Sequence, residues 1–228
     1  SVKPKSFWFG ERYDASSKGT NLLADIIKNN PFDYPKSLYT VIDNILFASG
    51  ENDIVLDYFA GSGTTAHAVI DIQRRNQKYR KFLCVEMGDH FLSVILPRTK
   101  KVIYSSDWKD GKPTARDTGI SHCFKYIRLE SYEDTLNNLD LRRTDAQTSL
   151  LDFKGEGADK FKEDYILRYM LDVESRGSSS LLNIEAFTDP TAYSLKVKIP
   201  GSDESREVKV DLLETFNYLL GLQIKNIS

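Results

Sequence analysis

The chain has 228 residues, 40% of them hydrophobic, and a formal net charge of -2. That is enough for a packed core in one large domain or two small ones, and it excludes a chain-wide positive field as the means of holding nucleic acid. Two cysteines exclude a disulfide framework, and no apolar run approaches the length of a membrane-crossing helix. Cys84 and Cys123 lie in apolar, strand-like runs and are expected to be buried free thiols, as suits a cytoplasmic, reducing setting. The N-terminus shows no signal-peptide pattern. It opens Ser-Val-Lys rather than Met, so the chain is expected to be a piece of something longer.

Residues 1–19 are polar and aromatic, with Phe7-Trp8-Phe9 as an expected anchor. Thr20 is placed to cap a helix that carries Leu22, Leu23, Ile26 and Ile27 on one face. Asn29-Asn30-Pro31-Phe32 stops it. Ser37 is placed to cap a second helix, whose apolar face is Leu38, Val41, Ile42, Ile45 and Leu46, and Gly50 to end it.

Asp53 to Ile70 reads as a buried strand, a glycine turn and a helix. Ile54-Val55-Leu56 is a short apolar run, as expected of a parallel strand covered on both faces. Gly61 and Gly63 let the backbone turn sharply and approach a ligand. Such a junction places free backbone N–H groups at the carboxyl edge of a parallel sheet, where small ligands bind. The spacing fits neither the dinucleotide G-x-G-x-x-G loop nor a phosphate loop, since no lysine follows Gly63.

The helix is expected to run to about Gln73, and the basic stretch Arg74 to Lys81 to be a solvated turn at the edge away from the cleft. Phe82-Leu83-Cys84-Val85-Glu86 is the next strand. Glu86 ends it, 23 residues beyond Gly63, where an acidic residue of a parallel α/β fold meets ribose hydroxyls. Asp57, ending the first strand, is placed to meet a ligand amino group or a nearby loop amide. His90 to Tyr104 looks helical, with Pro97 as a kink or in the first turn of a second helix.

Residues 105–119 read as a polar loop, and Phe124 to Leu129 alternates as a strand. Residues 161–175 form an amphipathic helix, with Phe161, Tyr165, Leu167, Met170 and Leu171 mostly on one side. Arg176 to Ser180 is a break, and Leu182, Ile184 and Ala186 alternate as a strand. Tyr193–Ile199 and Arg206–Val210 flank Pro200-Gly201-Ser202-Asp203 as a hairpin, after which Asp211 caps a last helix.

The string Asp57-Tyr58-Phe59-Ala60-Gly61-Ser62-Gly63-Thr64-Thr65 resembles the first cofactor motif of S-adenosylmethionine-dependent DNA methyltransferases that modify exocyclic amino groups. Gly19 to Leu22 and Phe32 to Leu38 resemble the segment that folds over the methionine end of that cofactor; Lys36-Ser37 stands where Lys-Pro is usual. Lys36 either faces the cofactor carboxylate or is a solvated lysine before a helix. Glu130 to Leu139 and Asp211 to Leu222 resemble the C-terminal region of type III restriction–modification modification subunits.

The resemblance spans most of the chain. It implies a partial Rossmann-like α/β methyltransferase sheet with a small α+β C-terminal appendage. The expected divisions are a cofactor-covering segment over 1–50, the cofactor-binding half over 51–130, and the appendage over 131–228. Residues 59–65 would pass under the methionine, with Lys36, Ser37, Asp57 and Glu86 completing the S-adenosylmethionine site. The activity implied is direct, metal-free methyl transfer to an extruded adenine N6 in double-stranded DNA, in a homodimer joined by a restriction subunit. This sequence holds no Pro-Pro, so the Pro-Pro-aromatic motif that meets the flipped base is expected N-terminal to residue 1. The piece alone is expected to bind cofactor weakly and methylate nothing. The alternatives are a cytosine-N4 or non-DNA methyltransferase, or a module for dimerisation or docking of a restriction subunit.

Overall fold

The computed structural model describes residues 8–140, 143–152, 154, 158–166, 169, 174, 178, 189, 191–199 and 202–223. The chain divides into two compact units, Ser1–Lys125 and Tyr126–Ser228. It is a mixed α/β protein, with three two-stranded sheets among the described residues. No helix among those residues is long and apolar enough to cross a membrane.

The first unit opens with a 3-10 turn, Glu11–Tyr13, followed by a wide π-helical turn, Ser16–Asn21, that runs into α1, Leu22–Ile26. Thr20 lies inside that turn and caps nothing, contrary to expectation. Asp14 takes the role, accepting the Ser16 and Ser17 N–H groups at 3.3 and 2.7 Å, because an ionised carboxylate is the stronger acceptor. Asn30 stops the segment by bonding the N–H and carbonyl of Phe32.

Helix α2 is Leu38–Ala48. Ser37 stands at its cap position, but the hydroxyl donates to the Arg12 carbonyl and makes no capping bond. The apolar face is narrower than expected: Leu38, Ile42 and Ile45 are buried, and Leu46 is exposed. Gly50 is not what ends the helix. The Ser49 hydroxyl donates to the Ile45 carbonyl, and the Arg80 guanidinium donates to the Ser49 carbonyl and hydroxyl, each at 2.9 Å.

Strand β1 is Ile54–Asp57, α3 is Thr64–Asn76 and β2 is Lys81–Cys84. β1 and β2 pair in parallel, from Ile54 opposite Lys81 to Asp57 opposite Cys84. Val55 and Phe82 face a cluster of Leu38, Ile42, Ile45, Ala68, Val69 and Ile72, and Phe82 also meets Leu23, Ile26, Ile70, Val94 and Val102. The other face is bare: Ile54 is 65% exposed, and Leu56 and Leu83 are each 55% exposed. The expectation of a strand covered on both sides is therefore corrected. Strand alternation sends successive side chains to opposite faces, and the helices pack on one of them.

α3 outlasts the expected Gln73 by three residues and closes on Gln77 in the left-handed region. The basic run is solvated over Arg75 to Tyr79 and at Lys81, as expected, but not at its other two arginines. Arg74 reaches the carbonyls of Thr118 and Val102, and Arg80 is buried as the stop for α2. A second π-helical turn, Phe91–Ile95, leads without a break into α4, Leu96–Tyr104, with Pro97 in the first turn of α4. The expected polar loop contains a small antiparallel hairpin, β3 Trp108–Lys109 with β4 Lys112–Pro113. Asp110 and Gly111 at its tip both have positive φ, as a two-residue hairpin turn requires. Cys84 is half-buried, while Cys123 is exposed rather than buried.

Phe124 to Leu129 forms no strand, since no other strand pairs with it among the described residues. The second unit holds α5 Tyr132–Asn137, α6 Asp145–Leu151, α7 Ala158–Tyr165, β5 Ser194–Lys198, β6 Ser205–Lys209 and α8 Leu212–Leu219. β5 and β6 are an antiparallel pair. α5 is pinned to β5: Asp134 accepts the Lys198 N–H at 2.7 Å, and the Asn138 side chain bonds both the N–H and the carbonyl of Lys196. Asp211 caps α8 by accepting the Glu214 N–H at 3.0 Å. Phe7, Leu167, Met170, Leu171, residues 182–186, Pro200, Gly201 and all of the expected break save Ser178 lie outside the described residues.

Candidate functional site

The crossover from β1 through α3 to β2 puts a loop, residues 58–63, beyond the carboxyl ends of two parallel strands. Its shape depends on two glycines. Gly61 has φ of 54° and Gly63 of 76°, both in the left-handed region. A Cβ at Gly61 would stand 3.3 Å from the Phe32 ring, and one at Gly63 would stand 3.3 Å from Ile95 Cγ2. Both positions therefore suit a residue with no side chain. The Ala60 N–H donates to the Val85 carbonyl at 3.0 Å, and Gly63 N–H to the Ala60 carbonyl at 2.8 Å, so the loop is tied to the second strand and to itself.

Two carboxylates flank it. Asp57 accepts the Thr65 hydroxyl at 2.6 Å and the Phe59 N–H at 3.3 Å. Of the two partners expected for Asp57, the structure has the loop amide. Glu86 reaches back across the strand ends. One oxygen accepts the Gly61 N–H at 2.8 Å; the other accepts Met87 and Gly88 N–H at 3.0 and 2.9 Å. His90 Nε2 lies 3.5 Å away. Burial alone would raise the Glu86 pKa, but amide donation from Gly88 and Gly61 outweighs it and holds the carboxyl below its ordinary value.

Beneath the loop lies a residue that sequence reasoning did not single out. Arg98 is wholly buried, and its Nη1 donates to the Ser62 carbonyl at 3.0 Å and to the Ser62 and Thr64 hydroxyls at 3.1 Å each. Its Nη2 lies 3.1 Å from His67 Nδ1. Burial brings the Arg98 pKa down to about 9. Burial, and then the charge of Arg98, push His67 well below its ordinary pKa, so the imidazole is neutral and accepts at Nδ1. A signal was available: Val94, Arg98 and Val102 recur at four-residue spacing, a charge inside an apolar stripe.

The remaining candidates fall into two groups. Ala60, Ser62 and Thr64 are buried in the loop floor, whereas Phe59 is 76% exposed beside Tyr58. Lys36 is exposed and makes no hydrogen bond or ion pair among the described residues. Ser37 is buried and bonded to Arg12, not to the loop. Phe32 is the part of the 32–38 segment that meets the glycine turn, stacking edge-on with His90 at 5.0 Å. Burial, then the charge of Asp57, raise the Cys84 thiol to about 12, which keeps it neutral and unreactive. No group of three or more His, Cys, Asp or Glu suited to a metal ion occurs among the described residues.

The arrangement offers left-handed glycine backbone, the N-terminus of a thirteen-residue helix and two anchored carboxylates around one opening. Such a set suits a small ligand with hydroxyls and both signs of charge.

Residues 1–97 match the DNA methylase family. The chain is 34% identical over 87 residues to the type III restriction–modification enzyme EcoPI Mod subunit of Escherichia phage P1, covering 38% of this chain and 13% of that subunit. It is 39% identical over 72 residues to the EcoP15I Mod subunit of Escherichia coli, covering 31% of this chain and 11% of the relative. A third similarity, 31% over 138 residues, is to the type II methyltransferase M.KpnI of Klebsiella pneumoniae and covers 57% of this chain and 30% of that enzyme. The chain thus spans a small part of the curated relatives it matches.

Proposed function

From the DNA methylase segment at residues 1–97, we propose that the chain is the S-adenosylmethionine-binding portion of a type III modification methyltransferase. Its target is the N6 amino group of adenine in double-stranded DNA, and its partners are a restriction subunit and a second modification subunit. The parallel β1–α3–β2 unit is then part of a Rossmann-like sheet. The observation that carries the reading is the Glu86 carboxylate, held 2.8 Å from the Gly61 N–H across the strand ends.

The residues present fit the cofactor. Residues 59–65 would pass beneath its methionine part, with Gly61 and Gly63 in left-handed backbone that lets the loop turn tightly there. Glu86 would hold the ribose hydroxyls, since its two oxygens carry three amide bonds and retain acceptor capacity. Asp57 would hold the loop through Thr65 and Phe59. Lys36 would face the carboxylate end and Ser37 would position the segment that carries it. When bound, the cofactor supplies an electrophilic methyl group on a sulfonium. The base-holding Pro-Pro-aromatic motif does not occur in these 228 residues, so the chain alone binds cofactor weakly and does not methylate DNA.

Isothermal titration of the chain with S-adenosylmethionine tests this. Binding that Glu86→Ala weakens is expected. No binding, or binding indifferent to Glu86, refutes it, and methyl transfer to DNA by the chain alone refutes the inactive-portion part. One observation favours a docking role in addition: Leu213, Leu219 and Leu220 on and beside α8 are each more than half exposed.

A further inference from the structure

Arg98 has no role in that reading, yet it is the largest wholly buried side chain described. Its guanidinium touches only neutral acceptors: the Ser62 carbonyl and hydroxyl, the Thr64 hydroxyl and His67. Its Nε has no partner. Among the described residues no carboxylate pairs with it. An unpaired buried charge is costly to keep and is ordinarily matched by a counter-charge. The nearby start of α3 adds to the imbalance, because the first N–H groups of a helix carry partial positive charge of their own. Arg98 and this helix end thus place two positive sources beneath one loop.

We propose that Arg98 is a positioning residue for the carboxylate end of the cofactor, the ligand carboxylate supplying the counter-charge that the fold omits. This rests on the S-adenosylmethionine reading above. Arg98 does not touch the ligand. It fixes the Ser62 carbonyl and the two hydroxyls, and so the path of the loop, and its charge acts through Ser62, Thr64 and the helix end.

The test is calorimetric titration of the chain with S-adenosylhomocysteine and with its decarboxylated analogue, which differs only in lacking the carboxylate. Wild type is expected to prefer the carboxylate form. Arg98→Met is expected to weaken both ligands, because the loop loses its three bonds, and in addition to cut the preference for the carboxylate form roughly tenfold, the size of a charge effect at a partly buried helix end. Arg98→Lys is expected to retain most of the preference. Three results overturn the proposal: a wild type that binds both ligands alike, an Arg98→Met protein that loses both equally, or one that keeps the preference. The second of these is what a merely structural arginine gives. If circular dichroism shows Arg98→Met unfolded, Arg98→Gln carries the same comparison, since it too removes the charge while keeping a polar end to the side chain. If wild type binds neither ligand, it is the cofactor reading that has failed.

Discussion

Replacing Glu86 with glutamine keeps the side-chain shape and removes the charge. In the structure one oxygen takes the Gly61 N–H at 2.8 Å and the other takes Met87 and Gly88 at 3.0 and 2.9 Å. An amide has one carbonyl oxygen, so whichever way it turns its NH2 group faces at least one N–H donor. The smaller loss is the Gly61 bond and the larger is the Met87 and Gly88 pair. A hydrogen bond to a charged group contributes about 1.5–3 kcal/mol, and the Glu86 side chain is only 11% exposed, so water replaces little of it. Glu86→Gln is therefore expected to lower the unfolding free energy by about 2 kcal/mol near neutral pH.

The pH dependence follows from the sign of the shift. The folded Glu86 carboxyl titrates below its ordinary value. A depressed folded pKa gives stability above the unfolded pKa that is lost as pH falls through the folded one. The gap between wild type and Glu86→Gln is thus full at neutral pH and narrows as pH drops below about 4.3. Urea unfolding at neutral pH and in mild acid measures it. No gap at neutral pH, or one that acid leaves unchanged, refutes the idea that this carboxylate holds the loop.

Four further outcomes are expected. Gly63→Ala should cost about 1–2 kcal/mol in thermal unfolding, since its φ of 76° disfavours any side chain and a Cβ there would crowd Ile95. Arg80→Met should cost about 1–2 kcal/mol by freeing the end of α2; because Arg80 binds a hydroxyl and a carbonyl rather than a carboxylate, the loss should barely change with added salt. His67→Gln should flatten the acid side of the stability profile below about pH 6.5, because the folded imidazole resists the proton that the unfolded chain accepts. Leu56→Thr, on the bare sheet face, should change stability by no more than about 0.5 kcal/mol, whereas Ile70→Ala in the core should cost about 2–5 kcal/mol by chemical denaturation.

The parts of the fold legible in the sequence were those set by neighbours along the chain. Ile54 to Leu56, the glycine pair and the helical spacing after Thr64 specify a parallel crossover without outside help, and Asp211 and Pro97 act where local rules put them. What was misjudged depended on distant partners. Arg80 lies in a charged run, and only the fold brings it to Ser49. Phe124 to Leu129 alternates correctly, but alternation makes no strand without a neighbour to bond. Thr20 is a good cap, yet Asp14 is a better one. The nearness of Glu86 to the glycine turn followed from strand order. Arg98 escaped notice because charge was taken to mean surface.

The uncovered side of the β1–β2 pair also bears on how the protein behaves as a material. A strip of Ile54, Leu56, Leu83 and Val85 open to water, on a chain whose net charge is only -2, leaves weak repulsion between molecules that share a sticky stripe. Fluorescence of an amphiphilic dye should brighten on the native protein, and light scattering should climb with concentration. Arginine or mild detergent, which wets such stripes, should suppress both.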